Sequence, residues 1–161
     1  MMHEWNDFYV AVTGAAGALT GLIFVGVSIN LKKILPLPTL PNRALISLIL
    51  LITILTFAIL QLVPGETLKS LGYQVIIIGF IAWAIVTTLD IKIFRLTKQP
   101  WRRYYILNMR IDQIALIPYL MGGICLLSIG ETSLYWFVPA IILSFIKSVL
   151  DAWVLLIEIH Q

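Results

Sequence analysis

Long, unbroken apolar runs dominate the chain. Five of them are about 20 residues long, the length that an α-helix needs to cross the hydrocarbon core of a bilayer. A membrane β-barrel would show alternating segments of about ten residues instead. The pattern predicts an all-α integral membrane protein with five transmembrane helices in one domain, residues 1–161. The predicted spans are 9–31, 44–63, 72–93, 111–129 and 134–157.

Composition supports lipid as the main solvent of these side chains. Of the 161 residues, 60% are hydrophobic and only 12% are charged, whereas a soluble domain carries roughly a quarter charged residues. A soluble fold of this length has too little interior to bury that much apolar surface. We therefore expect the lipid bilayer as the main partner. Because no Lys or Arg precedes the first apolar run, we expect that helix to be retained rather than cleaved as a signal peptide.

Basic residues gather on one side of the predicted bundle. Three of them, Lys32, Lys33 and Arg43, flank the first loop, and six more lie at or near the third loop, which together make nine of the eleven Lys and Arg residues. Short loops rich in Lys and Arg stay in the cytoplasm. The sequence therefore predicts an N-terminus outside and a C-terminus in the cytoplasm. The six residues near the third loop are Lys92, Arg95, Lys98, Arg102, Arg103 and Arg110.

Aromatic residues mark the ends of the predicted spans. Trp5, Phe8 and Tyr9 fall at the outer end of the first span, where amphipathic rings favour the headgroup level. In the third loop, basic and aromatic residues are mixed. Beside two membrane spans, this mixture indicates contact with lipid headgroups rather than with nucleic acid. The predicted headgroup contacts are Arg95, Lys98, Trp101, Arg102 and Arg103.

Small residues line one face of the first helix. Gly17 and Gly21 form a small-xxx-small pair, which lets a second helix backbone approach closely. Packing within the chain is the favoured interpretation, and self-association along this face is the alternative. The predicted packing face comprises Gly14, Gly17, Ala18, Gly21 and Ser28.

The first span also resembles a known group of proteins. From Trp5 to Val25 it reads W-x-x-F-Y followed by G-A-A-x-A-L-x-G-L-x-F-V. This pattern resembles the opening of small, uncharacterised bacterial multi-pass membrane proteins of similar length. The resemblance covers the first span only. It implies a bacterial plasma (inner) membrane, and it implies no activity and no site residues.

Four ionisable residues lie within or close to the apolar runs. Lys147 and Asp151 stand four residues apart on one face of the fifth span, and Asp90 and Asp112 reach the same predicted depth. Charges within hydrocarbon are costly, so they pair with one another or face a water-filled cavity. If these four converge, their acidic excess favours a cation or a proton as the species that passes.

A neutralising arrangement is the favoured interpretation of the same residues, and a polar cavity open to the cytoplasm is the alternative. Lys147 would pair with Asp151. Asp90 and Asp112 would form ion pairs with Lys92 and Arg110 at the interface, where long basic side chains reach the headgroups. The second span contains no ionisable residue and is expected to face lipid.

Proline and glycine residues interrupt the two spans that carry or approach these charges. Proline removes a helical hydrogen bond and bends the helix. We therefore expect kinks in the fourth and fifth spans, at Pro118 with Gly122 and Gly123, and at Pro139.

Features of enzymes and cofactor sites are missing from the sequence. His3 and His160 are the only histidines, Cys125 is the only cysteine, and no phosphate-binding or dinucleotide-binding motif occurs. We therefore expect no enzyme, no metal and no cofactor. Two functions remain. The favoured one is an accessory or scaffold subunit that binds a second copy or another membrane protein through helix faces. The alternative is an oligomeric cation or proton channel or transporter that uses Asp90, Asp112, Lys147 and Asp151.

Overall fold

The computed structural model describes residues 2–97 and 102–159, and within these ranges the secondary structure is helical, without strands. Five helices are long and apolar enough to span a membrane, which confirms the predicted number. In chain order the helices are α1 (Met2–Ile29), α2 (Leu31–Ile34), α3 (Leu40–Gln61), α4 (Leu68–Leu96), α5 (Arg102–Ser128) and α6 (Phe137–Ile159), with a 3-10 helix (Glu131–Trp136) before α6.

Four of the long helices form a closed ring. α3 packs on α4, α4 on α5, α5 on α6, and α6 returns to α3, whereas α1 lies outside the ring against α3. We call the end where α3 and α5 begin the basic end, because the basic loops lie there, and the other the far end. The charged positions of α3 to α6 can therefore meet inside the ring.

The helix that was expected to face lipid is the innermost one. In α3, 50% of the apolar window is buried, against 11% in α1. The prediction for the second span is therefore wrong. Protein interior and lipid are equally apolar, so a lack of ionisable residues does not distinguish a helix that faces one from a helix that faces the other.

Glycines allow α4 and α5 to approach closely. A Cβ atom on Gly123 would lie 2.7 Å from Ile76 Cγ1 and 3.3 Å from the Ile76 backbone nitrogen. A Cβ atom on Gly72 would lie 2.7 Å from Leu127 Cδ2, and the small-residue contact of the bundle is therefore between α4 and α5.

The small-residue face of α1 does not pack within the chain. A Cβ atom on Gly14 or Gly21 would meet nothing within 4 Å, and one on Gly17 would meet only Leu55 Cδ1 at 4.0 Å. The helix instead buries a larger face that includes Tyr9. Packing of this face within the chain was therefore wrong for the described residues, and self-association stays a prediction. The exposed members are Gly14, Ala18, Gly21 and Ser28.

The two prolines have different consequences. Pro139 is the third residue of α6, in the first turn, where a backbone N–H has no helical partner in any case. Pro139 therefore removes no helical hydrogen bond, and the reason for expecting a kink there does not apply. Pro118 lies inside α5, which continues through it from Arg102 to Ser128.

Aromatic side chains fill the interior of the four-helix ring towards the far end. Phe57 lies at the centre of this group, with ring centroids 4.5 Å from Phe137, 5.6 Å from Tyr119 and 5.8 Å from Tyr9. Tyr9 is only 2% exposed. It packs in the protein core rather than against lipid, and its depth at the headgroup level stays a prediction.

Candidate functional site

Five ionisable side chains from four helices meet inside the ring, towards the basic end. Each is buried, with at most 5% of its surface exposed. Four of them are the residues that the sequence singled out, and the fifth is a residue that the sequence assigned to a basic loop. We call this set the charge cluster: Arg43 on α3, Asp90 on α4, Asp112 on α5, and Lys147 and Asp151 on α6.

Lys147 is the centre of a chain of ion pairs. Its Nζ atom lies 2.9 Å from Asp112 Oδ1 and also donates to Asp151 Oδ2. The other oxygen of Asp151 lies 3.9 Å from Arg43 Nη2. The ion pairs therefore run from α5 through α6 to α3.

The neutralising arrangement predicted from the sequence is present only in part. Lys147 and Asp151 are paired, but Asp112 binds Lys147 and not Arg110, which is exposed. Two residues apart on a helix of 3.6 residues per turn, Asp112 and Arg110 point in nearly opposite directions. Asp112 therefore belongs to the ring interior and not to the interface.

Asp90 approaches the cluster from α4. It lies close enough to Asp112, Lys147 and Asp151 for their charges to act on it. Within the described chain, its Oδ2 atom has no hydrogen-bond partner. Lys92 is exposed and forms no ion pair with Asp90 among these residues. Among the described residues, Asp90 therefore joins the cluster without a bonded cation.

Neutral polar side chains line the α4–α5 side of the site. Trp83 Nε1 donates to Gln113 Oε1 at 2.5 Å, and Gln113 Nε2 donates to Thr87 Oγ1 at 3.1 Å. Gln113 also lies against Asp90. This amide joins α4 and α5 at the level of the carboxylates.

Two serines hold α3 and α6 in register beside the ion pairs. Ser148 Oγ donates to the Ser47 carbonyl at 2.9 Å, and Ser47 Oγ donates to the Ser148 carbonyl at 3.3 Å. Ser47 is one turn from Arg43, and Ser148 lies next to Lys147. On the outer side of Arg43, its guanidinium carbon lies 5.9 Å from the centroid of the Tyr105 ring. The two cations are therefore fixed by packing as well as by charge.

Three of the five predicted headgroup contacts are among the described residues, and they lie at the basic end. Arg95, Arg102 and Arg103 are exposed there, and the Arg102 guanidinium carbon lies 4.8 Å from the Phe94 ring centroid. Lys98 and Trp101 lie outside the described residues. Contact with lipid headgroups remains a prediction for all five.

A cavity of about 330 Å³ opens at the far end. Asn6, Gln61 and Glu66 are among its lining residues. Gln74 Nε2 donates to Glu66 Oε1 at 3.0 Å. Hydrogen bonds from Ser70 and Gln74 stabilise the ionised carboxylate and hold the pKa of Glu66 below its usual value.

The chemistry available to the charge cluster follows from its donors. Among residues 2–97 and 102–159, no three His, Cys, Asp or Glu side chains are grouped to hold a metal ion. Carboxylates beside an ammonium and a guanidinium can gain and lose protons. Comparisons with protein-family models, curated proteins and solved structures find no match to this chain, and its function is therefore inferred from the charge cluster.

Proposed function

We propose that the protein moves a small cation, most simply a proton, across a membrane through the charge cluster. One observation carries the proposal: among the described residues, three buried carboxyl groups share their site with two buried basic side chains. If all five were ionised, the cluster would hold one negative charge more than its own two basic side chains neutralise. An extra proton or cation restores the balance.

The free-energy cost of burying a charge makes the charge balance of the cluster important. An uncompensated charge in a low-dielectric interior is expensive, and a protein avoids it by neutralising the group. Asp90 is the carboxyl group without a bonded cation in the described chain, since Asp112 and Asp151 both contact Lys147. Asp90 is therefore the carboxyl group proposed to bind and release the proton.

The proposed location is a bacterial plasma membrane, with the N-terminus outside and the C-terminus in the cytoplasm. The basic loops at one end support this orientation through the positive-inside rule. The charge cluster then lies in the cytoplasmic half of the bilayer, below the aromatic residues at the far end.

Proton flux in sealed proteoliposomes tests the proposal. With an imposed membrane potential and an internal pH dye, the wild-type protein is expected to acidify the lumen faster than empty vesicles. Asp90→Asn and Asp112→Asn are expected to reduce this flux by about a hundredfold. Asp7→Asn, at an exposed position on α1, is the matched control and should conduct like the wild type. Wild-type flux equal to that of empty vesicles contradicts the proposal.

The exposed face of α1 favours a second candidate function, as an accessory or scaffold subunit. A Cβ atom on Gly14 or Gly21 meets nothing within 4 Å in the part of the chain that the structure describes, and close helix contacts in membranes use such positions. We propose that this face binds a second copy or another membrane protein.

Association in mild detergent tests this candidate. The double variant Gly14→Leu with Gly21→Leu should lose self-association or its co-purifying partner, because leucine blocks close approach. Ala15→Leu, also exposed but on a different side of α1, should not. Native purification that yields only single copies of this chain counts against the candidate.

A further inference from the structure

Two buried tyrosine hydroxyls lie between the charge cluster and the far end. Tyr9 is 2% exposed and Tyr119 is 1% exposed. Among the described residues, neither hydroxyl oxygen has a hydrogen-bond partner. A buried tyrosine hydroxyl usually has a partner, and the two lie close enough to interact electrostatically. This pair of polar groups is unexplained by the packing around it.

Towards the basic end, these hydroxyls connect to the charge cluster. Tyr119 follows Asp112 by seven residues, two turns along the same face of α5, or about 10 Å. Ser144 on α6 lies beside the Tyr119 hydroxyl. It is buried and donates to the Ala115 carbonyl at 3.4 Å. Lys147 is the next residue along the same face of α6, so polar atoms continue from Tyr119 to the ion pairs.

Towards the far end, the cavity lies close to Tyr9 along α1. Tyr9 lies one turn of α1 from Asn6, which lines the cavity together with Gln61 and Glu66. The Gln61 amide nitrogen is also buried without a hydrogen-bond partner among the described residues. Polar groups therefore lie between the cavity and the charge cluster.

We propose that Tyr9, Tyr119 and Ser144 form a water-binding passage that joins the far-end cavity to the charge cluster. The passage rests on the proposed function, because it supplies the part of the proton route between the far end and the charge cluster. A buried water needs two to four polar partners, and these three hydroxyls, with the Ala115 carbonyl, provide them.

Phe57 acts as the constriction of this passage. Its ring lies between Tyr9 and Tyr119 and also contacts Phe137. The Phe57 ring centroid lies 5.8 Å from that of Tyr9 and 5.6 Å from that of Tyr119, the spacing of aromatic rings in direct contact. Water therefore enters when the Phe57 ring moves, which makes the passage intermittent and limits leakage.

Silver labelling tests the passage without relying on flux. Ag⁺ is small and reacts with thiols that water reaches. The full chain carries Cys125→Ser to remove its own thiol, together with Ser144→Cys as the probe. In sealed vesicles, Ag⁺ is added at the far end, and the remaining thiol is counted with a maleimide after denaturation. Ala16→Cys, at a position that is 0% exposed in the contact with α3, is the matched control.

The passage predicts that Ser144→Cys reacts from the far end and that Ala16→Cys does not. Adding Tyr119→Phe removes one water-binding hydroxyl and is expected to slow the reaction about fivefold. The passage is contradicted if Ser144→Cys is as unreactive as Ala16→Cys, or if Tyr119→Phe leaves its rate unchanged.

The flux measurement separates this inference from the proposed function. Reactive Ser144→Cys in a protein without proton flux supports the passage and contradicts the proposed function. Proton flux that depends on Asp112 but not on Tyr9 or Tyr119, together with unreactive Ser144→Cys, supports the proposed function and contradicts the passage.

Discussion

Lys147 contacts two carboxylates, Asp112 and Asp151, inside the ring. Lys147→Met keeps most of the side-chain volume but leaves both carboxylates without their shared cation. Removing one partner of a buried ion pair costs about 3–5 kcal/mol. We therefore expect a loss of this size in the free energy of unfolding, measured by denaturant titration in detergent micelles.

Two further variants control this prediction. Lys92→Met removes a lysine that is exposed and should change stability by less than about 0.5 kcal/mol. Adding Asp112→Asn to Lys147→Met should recover part of the loss, because the double variant also removes one stranded charge. Equal stability of the Lys147→Met and Lys92→Met proteins would show that the ion pairs do not hold the helices together.

Glu66 gives a prediction for pH at the far end. Hydrogen bonds from Ser70 and Gln74 keep its pKa below the usual value. Its stabilising contribution is therefore complete above the usual glutamate pKa and is lost as the pH falls through the lowered one. Ser70→Ala and Gln74→Leu should each raise the pKa of Glu66, as followed by carboxyl ¹³C NMR. Gln61→Leu, in the same cavity, should leave that pKa unchanged.

At the scale of helices, the α4–α5 contact depends on glycine. A Cβ atom on Gly123 would meet both the side chain and the backbone of Ile76, and the helices would have to separate. We expect Gly123→Ala to lower the free energy of unfolding by about 1–3 kcal/mol. Gly14→Ala has open space around it and should be neutral or stabilising, because alanine favours a helix over glycine. Equal effects of the two variants in detergent unfolding would contradict the close contact.

The number and type of the helices follow from the length of the apolar runs, but their neighbours do not. Lipid and protein interior select similar side chains, so the sequence does not show that α3 is central and α1 peripheral. The prediction that the small residues of α1 pack within the chain was wrong for the same reason. The stripe on α1 has more members in regular spacing, yet the close contact uses Gly72 on α4 and Gly123 on α5.

The charge cluster was predictable from the sequence only where a charged residue lies inside an apolar run. Lys147 and Asp151 stand out because they interrupt a long apolar run. Arg43 was missed because it stands three residues after the start of α3, where an arginine is typical of a loop. The hydroxyls of Tyr9 and Tyr119 were missed because tyrosine is equally common at interfaces.

At the scale of the whole molecule, the four-helix ring and α1 can serve different functions. The ring encloses the charge cluster and most of the proposed passage, whereas α1 lies outside the ring and packs mainly against α3. Tyr9 connects the two, because it belongs to α1 and its ring contacts Phe57. Association through the exposed face of α1 could therefore alter the position of a residue that borders the passage.

The orientation of the whole chain gives the last prediction. Single cysteines in a Cys125→Ser background, one at Pro38 and one at Thr132, occupy exposed positions at the basic end and the far end. Because basic loops stay in the cytoplasm, an impermeant maleimide added to intact bacterial cells with a permeable outer envelope should label Thr132→Cys and spare Pro38→Cys. Lysed cells should label both. The reverse pattern in intact cells would place the charge cluster in the outer half of the membrane, and proton entry would then have to begin at the basic end.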